Sequence, residues 1–226
     1  GRVELVYHGL DLDRFAAPER PATRKDGSNA ADPLTILSVG RAVPKKGYDV
    51  LLRALRRIPE SLYWRFEHIG GGAELSSLKE QAEKLGISDK ITWHGPRAQR
   101  AVLEACRNSD IFILASRIAE DGDRDGLPNV LLEAQSQGLP CISTRVSAIP
   151  ELIINDETGL LVPQENPDAL ANALARMITD PLLRHRLGQA GFARVRETFS
   201  HEGSAKRIAA KFGHGAERTP LLMESA

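Results

Sequence analysis

The residues best suited to chemistry in this sequence are two carboxylates with seven residues between them, Asp125 and Glu133. They stand in the stretch 120–133 (EDGDRDGLPNVLLE), which begins as an acidic loop and continues as an apolar run typical of a helix. The first turn of a helix has N–H groups without intrahelical partners and a partial positive charge, so it suits an anionic ligand. The backbone groups that we expect there belong to Gly126, Leu127, Asn129 and Val130.

The two carboxylates have different surroundings, which predicts different partners. Glu133 lies within an apolar run, and a carboxylate there could accept hydrogen bonds from the adjacent hydroxyls of a ribose. Asp125 could accept from a sugar hydroxyl, and Gly126 leaves room for a ligand close to the backbone. Asn129 or Asp125 could also cap the helix. We therefore expect the stretch to hold the sugar and phosphate end of a nucleotide sugar.

Cations for an anionic ligand stand earlier in the chain, in GRAVPKKG. Gly40 allows a sharp turn after an apolar run, and Arg41 and Lys46 carry charges that suit phosphate oxygens. The alternative interpretation is two solvated cations of a surface loop. Their position after a predicted strand favours binding, because ligands of parallel sheets bind at the carboxyl ends of the strands.

The acidic loop has a second interpretation, a metal site. Asp121, Asp123 and Asp125 form two overlapping Asp-x-Asp pairs, and carboxylates are hard ligands that hold a divalent cation on the diphosphate in one class of sugar transferases. Since Arg41 and Lys46 already supply two positive charges, we expect no metal and no other cofactor. The six histidines are scattered, and none forms a pair at metal-ligand spacing.

Strands and helices alternate along the chain. The predicted strands cover 3–7, 34–39, 64–69, 91–94, 111–115, 140–143 and 159–162. The predicted helices cover 48–58, 74–85, 99–107, 129–137, 149–154, 167–179, 182–197 and 201–212. This alternation predicts an α/β fold, a Rossmann-like parallel sheet with helices on both faces. The turns at 40–41, 70–72, 95–96 and 120–126 would then all lie at one edge of the sheet.

The composition excludes some classes of protein. The 226 residues include 30 Lys and Arg and 30 Asp and Glu, and this zero net charge argues against a general nucleic-acid binder. No apolar run approaches the ~20 residues that span a bilayer. Cys106 and Cys141 stand in apolar segments, which favours reduced, buried thiols of a cytosolic protein over a disulfide. We expect one domain over 1–212, with a mobile loop over 17–33, and a tail over 213–226.

Seven segments, in this order, resemble the C-terminal, donor-binding half of the family 4 retaining glycosyltransferases, which have the GT-B fold. They are VYHGLDLDRF, SVGRAVPKKGYDVLLRAL, HIGGGAEL, ITWHGP, DGLPNVLLEAQSQGLPCIST, AIPELI and NDETGLLVP, and the resemblance covers residues 3–212. It implies that this chain is one half of a GT-B fold and binds a UDP-sugar or a GDP-sugar. It also implies an N-terminal half that binds a carbohydrate or lipid-linked acceptor, which we expect to be absent from this chain.

The resemblance implies roles for single residues. Arg41 and Lys46 match the pair that holds the donor diphosphate, and Glu133 matches the residue that holds the ribose. Asp125 stands where the family usually has glutamate, so its contact with the sugar is expected to differ. Arg41, Lys46 and Asp125 are the expected catalytic residues. The segment that resembles the base-binding segment contains Gly95 and Pro96.

The implied reaction is transfer of a hexosyl group to a hydroxyl acceptor with retained anomeric configuration, in polysaccharide or glycolipid synthesis. The family does not normally require a metal. Fixed cations and helix N–H groups would stabilise the charge on the leaving diphosphate. We expect the fragment to bind donor and to turn over poorly. The full-length protein is expected to be cytoplasmic, with peripheral contact at the inner face of the membrane.

Two other functions stay open from the sequence. A nucleotide-sugar epimerase would keep the diphosphate site but needs acid–base residues for the sugar, and none can be assigned. A non-catalytic nucleotide-binding module would bind the donor and transfer nothing. The product formed from a nucleotide sugar by the full-length protein separates transfer, epimerisation and simple binding.

Overall fold

The computed structural model describes residues 9–11, 15, 24–202, 205 and 208–209. The strand expected over 3–7, the tail expected over 213–226 and most of the helix expected over 201–212 lie outside these residues. Of the loop expected to be mobile over 17–33, the described part is tied to the body. Tyr63 N donates to Gly27 O at 2.8 Å, Arg184 donates to Lys25 O, and Lys25 Nζ lies 3.8 Å from Asp110 Oδ2.

Six strands form one parallel sheet in the described chain, with the order β3-β2-β1-β4-β5-β6. They are Leu34–Val39 (β1), Trp64–Ile69 (β2), Ile91–Trp93 (β3), Ile111–Leu114 (β4), Cys141–Thr144 (β5) and Leu160–Val162 (β6). The order reverses between β1 and β4, so the crevice at their carboxyl ends is the topological switch point, where such sheets bind ligands. The predicted Rossmann-like parallel sheet is confirmed.

Seven α-helices join and cover the described strands. They are Tyr48–Arg56 (α1), Leu75–Lys84 (α2), Gln99–Asn108 (α3), Asn129–Ser136 (α4), Ile149–Leu152 (α5), Pro167–Thr179 (α6) and Pro181–Thr198 (α7). Each matches a predicted helix, with ends displaced by up to two residues. The helices at 48–56, 75–84 and 167–179 lie against one face of the sheet, and those at 99–108, 129–136 and 149–152 against the other.

Alternation along the central strands divides the core into two layers. Within β1, the side chain of Ile36 packs with α1, α2 and α6, whereas the next residue, Leu37, packs with α3, α4 and α5. Every residue of β1 is buried, as expected for a strand covered on both faces. The two layers hold the sheet rigidly, so the loops at its carboxyl edge start from fixed positions. None of the described helices combines the length and the hydrophobicity of a membrane-spanning segment.

Candidate active site

At the switch point, the loop after β1 packs directly against the residue that follows β4. A 3₁₀ turn, Pro44–Lys46, follows Arg41 and ends at Gly47, whose φ of 60° is left-handed. A Cβ atom at Gly47 would lie 2.1 Å from the carbonyl oxygen of Ala115, so only glycine lets the two chains approach this closely. The lysines of the turn are thereby brought to the loop that follows β4.

Two lysines of this turn meet two aspartates of the predicted acidic loop. Lys46 Nζ lies 2.6 Å from Asp125 Oδ2, and Lys45 Nζ lies 3.1 Å from Asp123 Oδ1 and 3.4 Å from Asp125 Oδ1. The carboxylate of Asp123, through its hydrogen bond, raises the pKa of the Lys45 ammonium. The structure thus brings two of the predicted catalytic residues, Lys46 and Asp125, into direct contact. Lys45 was not predicted, although the Lys-Lys doublet was visible.

The same contacts bear on the alternative of a metal site. The carboxylates of Asp123 and Asp125 face lysines, and Asp121 Oδ1 accepts a hydrogen bond from the backbone N–H of Asp123 at 2.9 Å. Within the described residues, no three His, Cys, Asp or Glu side chains are placed to hold one ion. The arrangement favours charge pairing with lysine over coordination of a divalent cation.

The predicted helix start is present, but its cap is not the one expected. The residue that precedes the first turn of α4 is Pro128, and no side chain caps the helix, so the expectation that Asn129 or Asp125 does so is wrong. Because Pro128 has φ −66° and ψ 119°, Asn129 is already helical and its side chain cannot reach back as a cap. The backbone N–H groups of Asn129 and Val130 donate no hydrogen bond to another described residue. These donors suit an anion.

The other backbone positions predicted near this helix start lie in the loop between Asp125 and Pro128. Gly126 is exposed, and a Cβ there would meet nothing within 4 Å, so a ligand has room to approach. Its carbonyl oxygen accepts from Ala148 N at 3.3 Å, which ties the loop to the start of α5. Leu127 is half-buried and packs on the core with Val130. The loop is therefore anchored beside an open backbone.

Glu133 lies on α4 and is half-buried, and Gln99 Nε2 donates to its Oε1 at 3.3 Å. Burial raises the pKa of the Glu133 carboxyl above its ordinary value, and the hydrogen bond from Gln99 opposes that rise. Gln99 begins α3, shortly after Gly95 and Pro96. The carboxylate predicted to hold ribose is therefore next to the segment predicted to border the base.

The loops at the carboxyl edge of the sheet form a rim, and Gly95 and Pro96 lie at one end of it. Gly95 has φ +67° and its carbonyl oxygen accepts from Gly70 N at 3.0 Å, while the Pro96 ring lies against Gly71. Gly70 in turn packs on the next loop, because a Cβ there would lie 1.9 Å from the oxygen of Gly40. The glycine run is the tight strand-to-helix turn that the sequence favours.

The turn at Gly40 and Arg41 continues the rim toward the lysines. Gly40 N donates to Ile69 O at 2.9 Å. Arg41 is exposed, and its side chain forms no ion pair with another described residue. The structure therefore joins Lys46, but not Arg41, to Asp125, and leaves the Arg41 guanidinium available to a ligand.

A buried histidine lies beneath this turn, and nothing in the sequence pattern points to it. His68 Nε2 donates to Gly40 O at 3.1 Å, and its ring contacts Tyr48 and Trp93 edge-on at centroid distances of 4.6 and 5.2 Å. Burial lowers the pKa of His68 to about 4, so it is neutral at physiological pH. The carbonyl oxygen can only accept, so Nε2 carries the proton.

Arg117 is a further residue that the sequence did not single out. It follows β4, and its guanidinium reaches Pro44 O, Asp49 and Glu165. Beside it is an open cleft of about 720 Å³. The cleft is lined by Pro44, Glu74, Arg117, Ile118, Ala119, Glu120, Asp121 and Glu165. The acidic segment that begins at Glu120 thus forms one wall of a cleft next to the lysines.

Comparison with known families gives one match, over residues 19–194, to a family model described as glycosyl transferases group 1. A putative colanic acid biosynthesis glycosyltransferase, WcaL of Escherichia coli K12, is 35% identical over 175 residues, which are 77% of this chain and 41% of that protein. A GDP-mannose-dependent phosphatidylinositol monomannoside mannosyltransferase of Mycolicibacterium smegmatis is 30% identical over 84% of this chain and 50% of that protein. The chain spans about half the length of these relatives.

Solved structures share the fold. A sucrose-phosphate synthase from Thermosynechococcus elongatus superposes with a TM-score of 0.78 at 25% identity, covering 94% of this chain and 52% of that one. The C-terminal domain of a glycosyl transferase group 1 family protein, LpcC of Francisella tularensis, has a TM-score of 0.71 at 24% identity. It covers 85% of this chain and 99% of that domain.

Proposed function

This chain belongs to the group 1 glycosyl transferases and has the Rossmann-like fold of their GT-B enzymes, and on that premise we propose that it binds the nucleotide-sugar donor. The observation that carries the proposal is the cluster at the switch point, where Lys45 and Lys46 meet the loop that leads into α4. Cations and unpaired helix N–H groups at one place suit a diphosphate.

Residues along the carboxyl edge of the sheet are proposed to bind the other parts of the donor. We propose that Glu133 accepts from the ribose hydroxyls, that the backbone around Gly95 and Pro96 borders the base, and that Asp125 faces the sugar. The Gln99 contact supports the first two roles, because it holds Glu133 beside the start of α3. Names of relatives include a GDP-mannose-dependent enzyme, and one structure of the same fold holds UDP, so the base is either uracil or guanine in this proposal.

The proposed reaction is retaining transfer of a hexosyl group to a hydroxyl. The bond between the anomeric carbon and the diphosphate oxygen breaks, and a bond from that carbon to the acceptor oxygen forms on the same face. The acceptor proton passes to the leaving diphosphate. Arg41, Lys46 and the N–H groups of Asn129 and Val130 stabilise the charge that develops on this leaving group. No metal is needed, since the cations are supplied by side chains.

Activity of the whole protein is part of the proposal. One relative is named as a putative glycosyltransferase of colanic acid biosynthesis and another as a phosphatidylinositol monomannoside mannosyltransferase. These names support a polysaccharide or lipid-linked acceptor. The chain matches about half of each relative, so we propose that it binds donor by itself and transfers little sugar.

Calorimetric titration with UDP and GDP tests the donor site. Lys46→Ala and Arg41→Ala are expected to weaken binding about tenfold or more, since a hydrogen bond to a charged group contributes roughly 1.5–3 kcal/mol. Lys84→Ala, an exposed lysine on α2, is the matched control. Equal affinities for all four proteins would refute the diphosphate assignment, and loss of binding on addition of EDTA would refute the proposal that no metal is required.

A further inference from the structure

Two successive carbonyl groups of the lysine turn are held by one residue. The backbone N–H of Arg117 donates to Lys45 O at 2.9 Å, and its Nε donates to Pro44 O at 2.8 Å. Both acceptors lie in the 3₁₀ turn that carries the lysine pair. The main chain and the side chain of Arg117 therefore fix the turn from the same side.

The far end of the guanidinium is anchored to two other elements. Nη1 lies 3.2 Å from Asp49 Oδ1 on α1 and 3.6 Å from Glu165 Oε1 in the loop before α6. The Arg117 side chain is 18% exposed and that of Asp49 is 29% exposed, so their contact is largely shielded from water, whereas Glu165 is 58% exposed. A planar guanidinium spreads its donors over three nitrogens in a rigid plane and can reach these separate acceptors, whereas the three donors of a lysine ammonium all lie on one nitrogen.

We propose that Arg117 is a positioning residue that aims Lys45 and Lys46 at the donor diphosphate. Its guanidinium contacts Pro44 O, Asp49 and Glu165, and it is proposed to act on the donor through the turn. If Arg117 released the turn, the lysines would lose the direction that brings them to Asp123 and Asp125. The inference rests on the proposed function, because it assumes that the lysines bind phosphate.

The first test compares Arg117→Lys with Arg124→Lys. Arg124 is exposed in the same loop, and its side chain donates at 3.4 Å to the nearby Gly122 O. Its substitution therefore also replaces a guanidinium by an ammonium, but it leaves the contacts with the lysine turn intact. Titration is carried out with UDP and GDP and, separately, with uridine and guanosine. Arg117→Lys is expected to weaken diphosphate binding about tenfold, or ~1.4 kcal/mol, and to leave nucleoside binding unchanged. Equal loss for nucleosides indicates a general structural role and overturns the proposal.

A double-mutant cycle separates positioning from direct contact. In a Lys45→Ala, Lys46→Ala background, the further change Arg117→Lys is expected to have no effect on UDP or GDP binding, because the groups that it positions are gone. A persisting tenfold loss would show that Arg117 contacts the phosphate itself, and the positioning role would be wrong.

A measurement without nucleotide keeps the inference independent of the proposed function. Brief acetylation with acetic anhydride, followed by peptide mass spectrometry, reports how accessible each lysine is. Arg117→Lys is expected to raise labelling of Lys45 and Lys46 severalfold relative to Lys84, since their ion pairs with the aspartates are loosened. Unchanged labelling overturns the inference even if nucleotides bind. If labelling is faster in Arg117→Lys but the unaltered protein binds no nucleotide, the positioning of the lysines by Arg117 is supported and the proposed donor site is rejected.

Discussion

The ammonium of Lys46 lies 2.6 Å from the carboxylate of Asp125, in an ion pair that joins the loop after β1 to the loop after β4. The two side chains are 12% and 19% exposed, so water screens the pair only partly. A positive charge proposed to bind the donor diphosphate is thus already matched by a carboxylate of the same site. Diphosphate binding therefore has to share or replace this partner.

The second ion pair of the cluster predicts that loss of a carboxylate strengthens binding. Asp123→Asn removes a negative charge 3.1 Å from Lys45 Nζ, and we expect the affinity for UDP or GDP to rise. Asp123 is 55% exposed, so the gain should be modest, about threefold, as is usual for exposed ion pairs. Titration at low ionic strength measures it, with Glu120→Gln as the control in the same loop. Weaker binding by Asp123→Asn would mean that Asp123 supports the site.

Glu133 predicts a conflict between stability and binding. Its pKa is raised by burial, so the ionised form is disfavoured in the folded protein, and stability should increase as the pH falls through that raised pKa. Glu133→Gln removes the buried charge at similar size. We expect a higher melting temperature at neutral pH together with about tenfold weaker binding of uridine or guanosine, because an amide accepts fewer hydrogen bonds.

The control for this prediction is Glu83→Gln, an exposed carboxylate on α2. Its melting temperature and nucleoside affinity should both stay near those of the unaltered protein. If Glu133→Gln keeps full nucleoside affinity, the ribose role is wrong, whatever happens to the melting temperature.

The sequence predicts the fold well because the strongest signals are local. The continuous apolar run of β1 and the spacing of apolar residues in α1 define their elements without reference to distant residues. The alternation of strand and helix predicts a parallel sheet, whereas the order of its strands was not predicted and comes from the structure. Helix ends were less accurate, as for α2, which begins at Leu75 because Glu74 still belongs to the preceding turn.

The sequence predicts which residues belong to the candidate site, but it does not predict the contacts between them. The sequence predicts a role for Glu133 from a charge inside an apolar helix, and it predicts that the glycines after the strands share one edge of the sheet, which is where they lie. The pairing of Lys45 with Asp123 joins residues 78 positions apart, and no local pattern encodes it. The predicted cap of α4 was wrong because Asn, Asp and Pro are all common near helix starts, and the backbone angles decide between them.

His68 predicts a specific pH dependence of stability. Its pKa is about 4 in the folded protein, whereas an unfolded histidine titrates near 6.5, so the unfolded state takes up the proton first as the pH falls. Stability should therefore fall by roughly 2 kcal/mol between about pH 7 and about pH 5 on account of this fully buried group. Urea unfolding of the protein and of His68→Gln at both pH values measures the difference.

The comparison uses the drop in unfolding free energy, not its absolute value, because His68→Gln also changes the packing against Tyr48. The drop should be smaller in His68→Gln, and unchanged in the exposed control His185→Gln. An equal drop in all three proteins would show that His68 is not the group that titrates.

Gly47 provides the most direct test of how the lysine turn is built. Gly47→Ala places a Cβ 2.1 Å from Ala115 O at φ 60°, whereas Gly86→Ala has a similar φ of 67° with nothing within 4 Å. Left-handed strain alone costs about 1–2 kcal/mol, which both variants should show in urea unfolding. Only Gly47→Ala should lose more than this amount of unfolding free energy. It should also weaken UDP or GDP binding, because the clash moves Lys46 away from Asp125. Equal destabilisation of the two variants, with nucleotide affinity retained in Gly47→Ala, would show that the close approach of the loops after β1 and β4 does not position the lysines.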